Sequence, residues 1–301
     1  NETWLKGLDR CLERVCDAAP ESLANPLSFQ EIQIKSAANN SFENMAQALF
    51  KRGYEINNKR FIETAIRLGK FYAENVFESR GNRVVERRGS LFYNGESIWG
   101  IPTLYWLTRL TGQRFYTDIA ANLVRTACED TLRKDGLWHH FTNLQTGGKG
   151  ALWSRAQMFP MLIFTEALAA MDAKSETAER MCAAIHKTFE ALRNCQDPKW
   201  GMWRLVVDDP NTRIESTASA NIIYCYDRLR EMGVLDDSHR EMIERAFIGL
   251  KRLCYGGGLA ASCRGTGCGV PDYYRTRPMG YCNQNLFPAA VAARLKKSGN
   301  L

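Results

Sequence analysis

Four stretches of this chain repeat one plan, and that repetition limits the fold more than any single residue does. "SFENMAQALFKRGYEINNKRFIETAIRLGKFYAENV" and "GESIWGIPTLYWLTRLTGQRFYTDIAANLVRTACEDTL" each open with a helix-period run of small and aromatic residues. They turn at "YEINNKRF" or "LTGQRFY" and continue with an amphipathic helix; Arg60 and Arg114, in the two turns, lie 54 positions apart. The plan returns in "WSRAQMFPMLIFTEALAAMDAKSETAERMCAAIHKTFEALRN" and in "IESTASANIIYCYDRLREMGVLDDSHREMIERAFIGLKRL". Apolar residues recur at helical spacing and no long alternating stretch argues for a sheet, so the chain reads as all-α. A hairpin of this length cannot bury its apolar face alone, and neighbours must stack as an open solenoid or a closed ring. Small residues on the first helix of each pair suit an inner ring, and Lys, Arg and Glu on the second suit an outer one. The pattern points to an (α/α) toroid, and with no linker to cut at we expect a single domain over residues 1–301.

Composition narrows the function classes. With 45% hydrophobic and 24% charged residues the chain is an ordinary globular one. No apolar run reaches the roughly 18 residues that a spanning helix needs, so no membrane is expected as a partner. The opening "NETWLKGLDRCLERVC" alternates charge with apolar residues and does not read as a signal peptide. The formal charge of +7 is dispersed and matches no nucleic-acid module, so no nucleic acid is expected; it reads as a solvated basic surface, with a positive rim that draws an anionic substrate as the sharper alternative. Of ten cysteines, Cys11, Cys16, Cys182, Cys225 and Cys254 sit inside apolar helical patterns, and no CxxC pair occurs. Cys263, Cys268 and Cys282 lie in a glycine-rich stretch with no histidine nearby, so zinc is not expected. A reducing, cytoplasmic compartment fits this cysteine usage, or the periplasm or exterior if a leader preceded Asn1. The oligomeric state is left open.

The candidate chemistry lies at the starts of the first helices and in the joining segments "KDGLWHHF" and "DPKWGMWRLVVDDP". Trp99, Trp138, Trp153 and Trp203 all fall there, where aromatic faces suit stacking on sugar rings; the competing reading is that they are core. His139 and His140 are adjacent, so in an extended segment they point to opposite sides and cannot share a metal. We expect one of them in the cleft, His140 as a proton-transfer group and His139 as a binding one. Glu96 and Glu215 begin first helices, and two such carboxylates are the minimum equipment for glycoside acid/base chemistry, although a carboxylate there also simply favours the helix dipole. Glu43 is a third carboxylate in a similar place. Arg155, one residue beyond Ser154 and two beyond Trp153, offers a fork that matches a carboxylate, so a uronic acid is a natural substrate and a salt bridge the alternative.

The chain resembles the unsaturated glucuronyl and unsaturated rhamnogalacturonyl hydrolases, glycoside hydrolase families 88 and 105. Four segments carry the likeness: "GLWHHFTN", "LWSRAQM", "GMWRLVVDDPNTRIESTASANIIYCYDRLREMGVL" and "CRGTGCGVPDYYRTRPMGYCNQN". The resemblance implies a six-hairpin (α/α) toroid and a metal-independent, cofactor-free hydrolase. Its implied substrate is the 4,5-unsaturated uronic acid that polysaccharide lyases leave at the non-reducing end of an anionic oligosaccharide. In those families an aspartate hydrates the vinyl ether, and the resulting hemiketal opens to release the sugar. This chain departs from the pattern in three places. Glu96 stands where an inner-helix aspartate is expected, and the helix bearing Trp-Leu-Asp-Gly is not recognisable. Asn143 replaces the acid that ends the "GLWHHFTN" segment, which keeps hydrogen bonding and removes proton transfer, so it is expected to bind substrate. About five hairpins are countable, a reduced number. Two other readings stand beside the hydrolase: a toroidal lyase or sugar epimerase using His139 or His140 with a tyrosine such as Tyr93, and a non-catalytic carbohydrate-binding relative.

Overall fold

The computed structural model describes residues 2–19, 42–75, 77–80, 83–86, 91–95, 97–171, 174–255, 258–263, 271–282 and 294. Glu96 and Cys268 lie outside the described residues, and so do the side chains of Glu43, Tyr93 and Cys282. Two compact units emerge, Asn1–Arg88 with Trp99–Leu123, and Gly89–Ile98 with Val124–Leu301. Among the described residues no helix is long and apolar enough to cross a membrane.

In the first unit, α1 (Glu2–Ala18) packs against the hairpin of α2 (Phe42–Glu55) and α3 (Lys59–Asn75). The turn forms where the sequence places Asn57 and Asn58: Asn57 takes a left-handed φ of 53°, and the Asn58 Oδ1 accepts the Phe61 amide at 3.2 Å. Leu49, Phe50, Phe61, Ala65 and Leu68 form the apolar seam, all at most 1% exposed. Arg52 clamps Asp9 through two bonds of 2.6 and 2.8 Å, which ties α1 to the hairpin and holds the Asp9 carboxyl below the usual carboxylate range. A short β-hairpin, β1 (Phe77–Arg80) with β2 (Arg83–Glu86), follows α3. The next hairpin turns at Gly112 between α4 (Ile101–Thr111) and α5 (Phe115–Asp130), as "LTGQRFY" predicts.

The second unit holds the last two hairpins, α6 (Ser154–Leu168) with α7 (Glu176–Asn194) and α8 (Ser216–Glu231) with α9 (Arg240–Lys251). The first helices, α6 and α8, are buried along most of their length and pack on each other, whereas α7 and α9 keep charged outer faces. Among the described residues the strands are short pieces of two to six residues. The pair β3 (Leu91–Tyr93) and β4 (Phe141–Asn143) is antiparallel, with Leu91 opposite Asn143. A three-stranded sheet, β5 (Cys254–Tyr255), β6 (Gly258–Cys263) and β7 (Met279–Cys282), carries the short helix α10 (Pro271–Thr276) in the β6–β7 connection. Helical periodicity alone does not reveal this sheet, because β6 is six residues of mostly small side chains with no alternation to detect.

Candidate active site

Two loops that share a Gly-x-Trp sequence deliver the candidate residues. Gly136 (φ +94°) and Gly201 (φ +68°) each turn the chain so tightly against the next outer helix that a Cβ would lie 2.3 Å from the Lys187 carbonyl and 2.5 Å from the Arg245 carbonyl, respectively. Two residues on, Trp138 and Trp203 plunge into the core at 0% exposure. The Trp138 indole N–H donates to Thr188 Oγ1 and the Trp203 N–H to the Leu192 carbonyl, both at 2.8 Å. Neither ring has an open face, so the stacking role expected of Trp138 and Trp203 gives way to one of fixing the loops on α7. Gln157, which sequence reasoning did not single out, completes the first anchor: its Oε1 accepts the Trp138 backbone N–H at 2.7 Å and its Nε2 donates to the carbonyls of Trp138 and Trp153. A polar residue buried three positions into an apolar helix start was the available signal.

The second loop runs back onto the start of α6, where Ser154 N donates to Leu205 O at 2.9 Å and Trp153 bridges Val206. Within α6, Pro160 has no N–H for the Ala156 carbonyl; the buried Asn94 supplies the missing donor through its Nδ2 at 2.7 Å. That bond joins the strand of β3 to the helix that presents Arg155.

Arg155 and Glu215 come together across the starts of α6 and α8. Glu215 is fully buried; its Oε2 caps α8 by accepting the Ala218 amide at 2.6 Å, and its Oε1 accepts from Arg155 Nε (3.3 Å), Arg155 Nη2 (3.1 Å) and the Cys263 amide (3.1 Å). Arg155 Nη2 also donates to the Cys263 carbonyl and touches Thr217 and Ser262. The arginine therefore stays in place, its guanidinium 5.4 Å from the centre of the Trp153 ring. With both oxygens engaged and no exposure, Glu215 is not placed to exchange a proton with a substrate, and the acid/base role expected of it gives way to a structural one.

The histidines part company as the extended backbone requires. His139 is half-buried; its Nδ1 meets the Gly150 carbonyl at 2.7 Å, and burial holds its pKa below the ordinary value. His140 is fully buried, edge-on to Trp153 with centroids 4.8 Å apart, and its Nδ1 lies 3.4 Å from the Tyr274 hydroxyl. Burial pushes its pKa down to about 4, so the ring is neutral at pH 7. Trp153, as fully buried as Trp138 and Trp203, packs against both this histidine and Tyr274, which stacks on it at 5.8 Å and 24°, so its ring too is taken up by the protein rather than by a sugar. Asn143 builds its own turn: its Oδ1 accepts the amides of Gln145 (2.9 Å) and Thr146 (3.0 Å). An aspartate would make the same two bonds, so the difference from the families' acid leaves the turn intact. Trp99 is half-buried and belongs to the first unit. Among the described residues no three His, Cys, Asp or Glu side chains gather as a metal site requires.

Around the starts of α6 and α8 a pinned arginine, buried aromatics and a neutral histidine come together. The model of Glycosyl Hydrolase Family 88 matches residues 98–290, well over half of the chain, and the chain belongs to that family. No curated protein matches it. Solved structures share the fold at low identity. A family 105 glycoside hydrolase from C. acetobutylicum is 16% identical, with a TM-score of 0.74 over 97% of this chain and 92% of that one. The unsaturated glucuronyl hydrolase of a Bacillus species, responsible for glycosaminoglycan degradation, is 14% identical with a TM-score of 0.66, over 100% and 82%. A polysaccharide lyase is 12% identical with a TM-score of 0.64, over 97% and 90%. The protein is thus a glycoside hydrolase with the all-α, (α/α)-toroid fold.

Proposed function

We propose that this enzyme removes a 4,5-unsaturated uronic acid from the non-reducing end of an oligosaccharide left by a polysaccharide lyase. The observation that carries this reading is Arg155, a guanidinium held rigid over Trp153 by a buried carboxylate at an inner-helix start, in a member of family 88. With Nε and Nη2 engaged by Glu215 and the Cys263 carbonyl, the Nη1 end of this fixed guanidinium is what meets a sugar carboxylate, at little entropic cost. Glu96 is the proton donor of this reading. It protonates C4 of the vinyl ether while water adds to C5, the water's surplus proton returns to the carboxylate, and the hemiketal so formed opens to free the next sugar. His140, neutral and shielded, hydrogen-bonds rather than carries charge.

The vinyl ether reports directly on the reaction. Incubation with lyase-generated oligosaccharides should make its ultraviolet absorbance fall, with release of a reducing sugar; no change in absorbance sinks the proposal. The His140–Tyr274 contact of 3.4 Å supports a second reading, a lyase that uses the pair to move a proton. In that case absorbance rises on an intact uronate-containing polysaccharide.

A further inference from the structure

Arg155 already has its counter-charge. Glu215 is a fully buried carboxylate within hydrogen-bond reach of it, so the pair together carries no net charge toward a ligand. A second guanidinium, that of Arg277, lies in the same neighbourhood, and among the described residues it has no such counter-charge. In the β6–β7 ladder Cys263 stands opposite Met279, which places Arg277, two residues ahead of Met279, off the rung whose carbonyl Arg155 grips. The side chains agree with the register. The Arg277 guanidinium lies 4.3 Å over the Tyr273 ring, Tyr273 meets Tyr274 edge-on at 5.4 Å, and Tyr274 stacks on Trp153, whose ring centre is 5.4 Å from the Arg155 guanidinium. One aromatic ladder is thus capped by a guanidinium at each end. The Cys263 thiol, pushed up by burial, is pulled back by both arginines, as their proximity requires.

Among the described residues no carboxylate pairs with Arg277, and its Nε is buried without a hydrogen-bond partner. The indole N–H of Trp153, a fully buried residue of the same ladder, is likewise unpartnered. Both orphans are donors, so what complements them is an acceptor, and at the arginine an anionic one. We propose that Arg277 is a substrate-binding residue that supplies the uncompensated positive charge for a uronate carboxylate, with Arg155 as the neutralised, rigid partner beside it. This rests on the proposed function only in taking a uronate as the ligand.

Calorimetric titration with a glucuronate-terminated disaccharide and its glucose-terminated counterpart tests it without requiring turnover. Wild type should prefer the glucuronate form. Arg277→Gln should weaken that form by about 10- to 100-fold, leave the glucose form unchanged, and flatten the salt dependence. Arg277→Lys keeps the charge but not the fork and should fall between, which keeps the test usable if the glutamine variant folds poorly. Arg275→Gln is the control, because Arg275 is paired with Asp209 (2.8 Å) and Asp272 and should leave the preference intact. A folded Arg277→Gln that retains the full preference overturns the inference. Failure of wild type to consume unsaturated oligosaccharides would count against the hydrolase reading alone.

Discussion

The two Gly-x-Trp loops are built alike and carry different cargo. In both, a glycine with positive φ presses on the next outer helix and a tryptophan two residues later is pegged to α7 by its indole N–H. The first loop then delivers His139, His140 and the Asn143 turn; the second delivers Arg204 with its buried partner Asp197 (2.5 Å), Asp209 with Arg275, and finally Glu215. The shared frame and the residues that distinguish the two loops are thus carried by different parts of the same segment. Conspicuous aromatics serve the frame, and smaller polar residues a few positions downstream differ from one repeat to the next.

The largest effect that can break this division comes from the pegs. Trp138→Ala and Trp203→Ala should each cost about 3–5 kcal/mol of stability, read by chemical denaturation, because each removes a fully buried indole and leaves a cavity. A stable Trp138→Ala or Trp203→Ala that had lost only saccharide binding would return that tryptophan to the cleft. A smaller effect sharpens the contrast, since only the first loop buries histidine. The folded pKa of His140 is depressed to about 4 against 6.5 unfolded, so the unfolded chain binds the extra proton first as pH falls. Stability should therefore be intact near pH 7 and decline between about 6.5 and 4, by up to about 3 kcal/mol from this residue. His140→Phe should flatten that part of the curve in melting experiments, and an unchanged slope would show that other groups govern it.

Much of the frame was legible in the sequence. The helical period and the Asn57–Asn58 and Gly112 turns located the hairpins, and Glu215 was placed at a helix start, which is where it caps α8. Its burial was not legible, because the Cys263 amide that fills it comes from a strand 48 positions away. The tryptophans misled for a similar reason: an aromatic beside a turn reads the same whether its ring faces a cleft or a core, and only the contacts with Thr188 and Leu192 decide. Arg277 drew no role from sequence, since having no carboxylate partner among the described residues is a property of the folded neighbourhood.

The central claim is that two carboxylates do different work, Glu96 moving the proton as proposed and Glu215 holding Arg155. The direct measurement is the pH–rate profile of Glu96→Gln and Glu215→Gln on a lyase-generated unsaturated oligosaccharide, beside saccharide binding. Glu96→Gln should bind and not turn over, whereas Glu215→Gln should turn over with a raised KM and both limbs of its kcat profile in place. Turnover by Glu96→Gln at the wild-type rate, or the loss of a kcat limb in a folded Glu215→Gln, would contradict the account.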